Sequence, residues 1–138
     1  MSNLVQKDES ETRTPHKYGI LQEGKLQLPD RACTQTIYVR AFDQGGTRIP
    51  AFALDNSGPF YPDGFKWRSA NQPLSVTFVF SPGIASVKTA HQELQPSACI
   101  SGRQQMLIPT SKATYDFDVE FSSGDLHDPQ IDVDPISR

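Results

Sequence analysis

Cysteine, tryptophan and methionine are scarce in this 138-residue chain, at two, one and two residues. In a reducing compartment the two lone thiols, Cys33 and Cys99, read as packing groups, with a disulfide or a reactive thiol as the alternatives. Only three histidines occur, His16, His91 and His127, and no HExxH, CxxC, GxSxG or phosphate-binding glycine loop accompanies them. A basic field is missing too. Thirteen basic residues against 16 acidic ones leave a net charge of −3, which gives nucleic acid phosphates or anionic lipid no electrostatic attraction. No run approaches the ~20 apolar residues of a membrane span, and the N-terminus has no apolar stretch of signal-peptide length. The expectation is a soluble, cytoplasmic protein with neither nucleic acid nor membrane as partner.

What the chain does contain is punctuation. Eleven prolines and 9 glycines beside a hydrophobic content of 36% predict many short elements joined by tight turns, which favours a sandwich over a bundle. Residues 1–16 are polar and aperiodic and read as a flexible N-terminal arm; residues 17–138 are long enough for one self-supporting domain. The fold class expected is all-β, an antiparallel sandwich of Ig-like or cupredoxin-like Greek-key type with 8–10 short strands.

Along the chain, residues 18–28 alternate weakly around Gly24. Residues 36–42 and 48–54, joined through Gly45 and Gly46, form a good hairpin candidate. Large apolar side chains on both sides of its first strand, the aromatics Tyr38 and Phe42 opposite the aliphatic Ile37 and Val39, predict a strand covered twice, once by the opposing sheet and once by a loop or partner. Residues 55–63, DNSGPFYPD, are the densest loop signal and carry Phe60 and Tyr61 between two prolines; Trp67 and Arg68 follow on a short strand. Leu74, Val76, Phe78 and Phe80 mark a central strand. Beyond Ser81 and Pro82, a plausible N-cap and first turn, Ile84, Val87, His91 and Leu94 recur at spacings of three and four and predict one short helix over 83–95, against the extended preference of Val87 and Thr89. Two short runs around Ser101 and Gly102 predict a tight hairpin.

The clearest strand lies near the end. In 114–121, Tyr115, Phe117, Val119 and Phe121 alternate with Thr114, Asp116, Asp118 and Glu120, so one face is core and the other wet. A short returning strand carries Ile131 and Val133 between Pro129 and Pro135, a bracketing that suggests a strand at or near a sheet edge. Its acids, with Asp116, Asp118, Asp125 and Asp128, raise a calcium reading; their spacing favours solvated charges that discourage edge-to-edge pairing.

LSVTFVF followed by SPG, the region from His91 to Met106 and the closing YDFDVEF together resemble a small cupredoxin-like sandwich. Type 1 copper sites of that family pair a cysteine with a following histidine and then a methionine. His91, Cys99 and Met106 stand in a suggestive order, but no histidine falls between Cys99 and Met106, so no copper and no other cofactor is expected. The final strand and DPQIDVDP also resemble the last hairpin of small bacterial sandwich proteins of unknown function, including inclusion-body-type proteins.

The leading functional expectation is a non-enzymatic domain acting in protein binding or self-association, a possible homo-oligomer working through edge strands, the loop near Phe60 and Tyr61, and the arm. The alternative is a carbohydrate or small-ligand binding module in which Phe60, Tyr61, Trp67 and Arg68 form an aromatic platform with a polar contact. Against that platform stands the need of a chain so modest in apolar content to keep its aromatics inside. A metal- or thiol-dependent enzyme, built for instance on Cys99 and His91, ranks last.

Overall fold

The computed structural model of the protein describes residues 20–136; the arm expected over residues 1–16 lies outside them. The described chain is all-β. Its strands are β1 Leu26–Gln27, β2 Thr34–Gln44, β3 Thr47–Ala53, β4 Gly64–Ser69, β5 Leu74–Phe80, β6 Ile84–Lys88, β7 Gln95–Pro96, β8 Arg103–Ile108, β9 Ala113–Asp116, β10 Asp118–Phe121, β11 Leu126–His127 and β12 Gln130–Pro135. They form a five-stranded sheet in the order β3-β2-β5-β8-β7, a four-stranded sheet β1-β4-β12-β9 and a three-stranded sheet β11-β10-β6. The arrangement is sandwich-like. It is not purely antiparallel, because β2 runs parallel to β5 and β4 runs parallel to both β1 and β12.

Local chemistry explains the hairpins. Gly45 and Gly46 both take positive φ, 58° and 83°, between the paired residues Gln44 and Thr47, the two-residue turn whose twist matches that of its strands. The same geometry recurs at Ser101 and Gly102, at 55° and 73°, inside the Ile100–Arg103 bridge. Gly64 answers a different demand. At φ 108° it lies so close to β12 that an added Cβ would meet the Gln130 carbonyl, and this close approach lets β4 and β12 pair from their first residues.

Period-two alternation sends one set of side chains from every sheet into a common core. Leu74, Val76 and Phe78 are fully buried on β5, and Tyr115 on β9, Val119 and Phe121 on β10 and Phe117 between the two are all buried. At its centre the rings of Phe52, Phe65, Phe78 and Phe117 contact one another in all six combinations, with centroids 5.9–6.4 Å apart. Phe117 sits at the break where one continuous run leaves the four-stranded sheet and enters the three-stranded one. Its amide donates to the Pro129 carbonyl at 3.2 Å.

The helix expectation is corrected. No helix forms over 83–95: Ile84–Lys88 is strand β6, paired antiparallel with β10, and Leu94 enters the core from a turn closed by its amide on the His91 carbonyl. The three-and-four spacing coincided with what a strand followed by a turn also buries, and β-branched Val87 tips the balance toward extension. The strand between the two prolines falls near a sheet edge, as the bracketing suggests, one strand in from β9. β12 lies between β4 and β9. Pro129 falls just before it, and Pro135 is its last residue, so neither removes a donor from its interior.

Candidate functional site

The four residues expected to make an aromatic platform do not come together. Phe60 is fully buried and Trp67 is 1% exposed, so neither ring is open for stacking. Tyr61 is half-buried. Trp67 and Arg68 are consecutive on β4 and point to opposite faces of its sheet; Arg68 reaches solvent and pairs with Asp30 at 3.1 Å. The physical reason is the one that opposed the platform at the outset, the scarcity of large apolar groups to fill a core.

Phe60 has a specific task. Asp55 accepts from the Ser57 amide at 2.9 Å and from its hydroxyl at 2.6 Å, bonds that hold its carboxyl below the usual range and shape the loop as an Asx turn. The chain then returns over the outer face of β2 and β3, where Phe52 and Tyr61 exchange backbone bonds of 2.9 and 2.8 Å. There Phe60 joins Phe42, Ala51 and Ala53 in a second apolar cluster, with Leu21, Tyr38 and Ile49 packed against it. The Phe42 and Phe60 centroids lie 5.3 Å apart. β2 is thus covered twice, on its second side by a loop of the same chain.

Two sheet edges, those of β3 and β6, are partly closed by equally local devices. The residues of β3 whose polar groups face away from β2 are Arg48, Pro50 and Phe52; Pro50 has no N–H, and Phe52 is occupied by Tyr61. On β6, the buried Gln104 side chain accepts from the Val87 amide at 2.7 Å and donates to its carbonyl at 3.0 Å. A side-chain amide from β8 therefore completes β6 as a neighbouring strand would.

Beyond the Phe60 loop the five-stranded sheet stays open to solvent. By register its outward residues there are Thr34 and Thr36 on β2, Ser75, Thr77 and Val79 on β5, Arg103, Gln105 and Leu107 on β8, and Gln95 on β7; at the border, Tyr38 packs against the Phe60 cluster and Arg40 donates to the Asn56 side chain of the loop. No lysine or carboxylate stands among them. Leu107 is 39% exposed, and the Arg40 guanidinium lies 5.8 Å from the centre of the Tyr38 ring.

The outer face of the four-stranded sheet is the opposite. Asp132 accepts from Lys25 at 2.9 Å and from the Thr114 hydroxyl at 2.8 Å, while Gln130 donates to Asp116 at 2.8 Å. Desolvation works to raise the Asp132 carboxyl, but these bonds and the charges of Lys25 and Lys66 together hold it below its ordinary value. A groove of about 740 Å³ crosses this face.

The groups considered for chemistry are dispersed. Among the described residues no three His, Cys, Asp or Glu side chains are grouped to hold a metal ion. Met106 is a core residue at 1% exposure, and the His91 ring stands edge-on to Tyr115 at 5.4 Å. Burial, followed by the nearby Glu93 carboxylate, pushes the Tyr115 hydroxyl up from its ordinary 10.0. Both thiols are free; Cys99 packs against the main core, whereas Cys33 is exposed, against the packing role expected of it. His127 lies 4.9 Å from the Phe121 ring and lines a smaller cleft of about 430 Å³ with Asp63 and Asp128. No described helix is long and apolar enough to cross a membrane.

No protein-family model matches the chain, and no curated protein matches it significantly. The open face of the five-stranded sheet was missed in the sequence. Its signal was present in TQT and SVT, two short alternations without charge, but only the parallel pairing of β2 with β5 sets them side by side.

Proposed function

We propose that the protein is a non-enzymatic β-sandwich that acts by protein association, with a partner or with its own copies, through the open outer face of the five-stranded sheet. The observation that carries this reading is the composition of that face. It holds an arginine, an exposed leucine, a valine, hydroxyls and amides, with Tyr38 and Arg40 at its border, and lacks lysine, aspartate and glutamate; the enrichment of arginine and the depletion of those three charged residues are part of the bias of protein interfaces. The partly closed edges of β3 and β6 favour a face over strand addition as the mode of contact. The finer architecture belongs to the same proposal: a cupredoxin-like Greek key without a type 1 copper site.

The test is light scattering over a micromolar to millimolar series, with co-purification from the source cells, for the wild type and the double variant Thr77→Glu/Leu107→Glu. The expected result is a mass above the 15.3 kDa monomer, or a co-purifying protein, that the variant abolishes at unchanged melting temperature. A wild type that stays monomeric and retains the same companions as the variant removes the proposal.

A further inference from the structure

The groove on the four-stranded sheet has walls of opposite charge, and the reason lies in where the side chains turn. Register places Lys66 opposite Asp132 and Arg68 opposite Asp134, the pairing from which cross-strand salt bridges are ordinarily made. Neither bridge forms. Arg68 turns to Asp30, Asp132 to Lys25 and Thr114, and Asp134 to Lys112 at 3.6 Å. Lys66 holds no ion pair within 4.0 Å among the described residues. The β4 cations and the β12 carboxylates thus take their partners elsewhere, and the space between them is the groove, with the strand backbones at Trp67 and Val133 along its floor.

Several donors and acceptors remain available. Arg68 spends one nitrogen on Asp30, in a pair whose side chains are 48% and 46% exposed, and Lys112 and Asp134 are at 79% and 66%; such exposed pairs are weak and exchange partners readily. Asp132 is the fixed member, held by Lys25 and Thr114. The groove is of a size that accepts a small molecule.

We infer that this groove binds a small zwitterion of the free α-amino acid type, its carboxylate on Lys66 and Arg68 and its ammonium on Asp134 and the outward side of Asp132. The Lys66 and Arg68 side chains and the Asp132 and Asp134 side chains rise from neighbouring strands on one face of the sheet, so a single small ligand carrying both charges reaches both rows. A purely anionic ligand would meet the Asp132 and Asp134 carboxylates, and a purely cationic one would meet Lys66 and Arg68. A ligand carrying both charges satisfies both walls. The site is independent of the association face, on the opposite sheet, so either stands if the other fails.

The experiment is calorimetric titration of the full chain with glycine, a panel of α-amino acids and dipeptides, acetate and methylamine, repeated on Lys66→Met and Asp134→Asn. Both positions are exposed, and melting temperatures confirm that the variants fold. Expected is saturable binding of at least one α-amino acid, at least ~10-fold tighter than acetate or methylamine and weakened at least ~10-fold in each variant, as the loss of a charged contact implies. Backbone amide shifts of Lys66, Thr114 and Asp134 on titration place the ligand in the groove. Absence of binding across the panel, equal binding of acetate, preference for dipeptides over every free amino acid, or affinity unchanged in both variants overturns the inference.

Discussion

On the five-stranded sheet the outward positions are threonine, serine, tyrosine, glutamine, leucine and arginine; on the four-stranded sheet they are lysine, arginine and aspartate with a few amides. The inward positions of both are alike, aromatic and aliphatic, because both fill one core. The charged face is satisfied within itself through Asp132, Lys25 and Thr114. The face without carboxylates or lysine is covered in part by the Phe60 loop and is otherwise exposed. Inward residues therefore report on folding, whereas outward ones separate a face that shields itself from one that remains available.

The sharpest way to break this contrast is to uncover the shielded part of the five-stranded sheet's face. Phe60→Ala is expected to cost about 3–5 kcal/mol in chemical denaturation, as for other large-to-small core changes, and to expose Phe42, read as increased binding of a hydrophobic dye. A loss below ~1 kcal/mol would show that the loop does not hold a second core.

Gln104 and Gln105 provide the next comparison, since adjacent residues of one strand face core and solvent. Gln104→Leu leaves the Val87 amide and carbonyl unpaired and should cost about 2–4 kcal/mol. Gln105→Leu should stay within ~0.5 kcal/mol. Equal urea midpoints for the two variants would contradict the role of Gln104 as a substitute strand.

Smaller effects come from the charged face. The Asp132 carboxyl is held below the ordinary 3.8 of an aspartate, so its stabilising contribution is present above about that pH and is lost as pH falls through the lower folded value. Asp132→Asn should therefore cost up to ~1 kcal/mol at neutral pH and much less under acid conditions, flattening the acid limb of a stability profile. A variant whose profile parallels the wild type down to the acid end would place the effect elsewhere. Smallest of all, removing the exposed Arg68 and Asp30 pair by Arg68→Ala should shift thermal stability by only a few tenths of a kcal/mol.

Much of the architecture was legible in the chain. Alternation at 74–80 and 114–121 identified inward residues, and the glycine turns at 45–46 and 101–102 located hairpins, because both signals are local. The helix expected at 83–95 arose where a strand and a turn bury residues at helical spacing by coincidence. The aromatic platform arose because Phe60 and Trp67 lie near one another in sequence next to prolines, and sequence proximity does not tell which side of a sheet a ring takes. Of the residues expected at that platform, only Arg68 borders the groove with an outward side chain.

The closing stretch from Thr114 to Asp134 marks the boundary between the two kinds of information. By itself the sequence determined that Tyr115, Phe117, Val119 and Phe121 go inside and that the intervening polar residues do not, since strand geometry alternates sides whatever the neighbours. Only the tertiary structure decided that the run changes sheets at Phe117, that β12 lies in the interior of its sheet, and that its acids stand opposite the β4 cations without bridging to them. Those outcomes depend on pairings between residues 30–37 and 66 positions apart, and no local preference encodes which distant strand will be the partner.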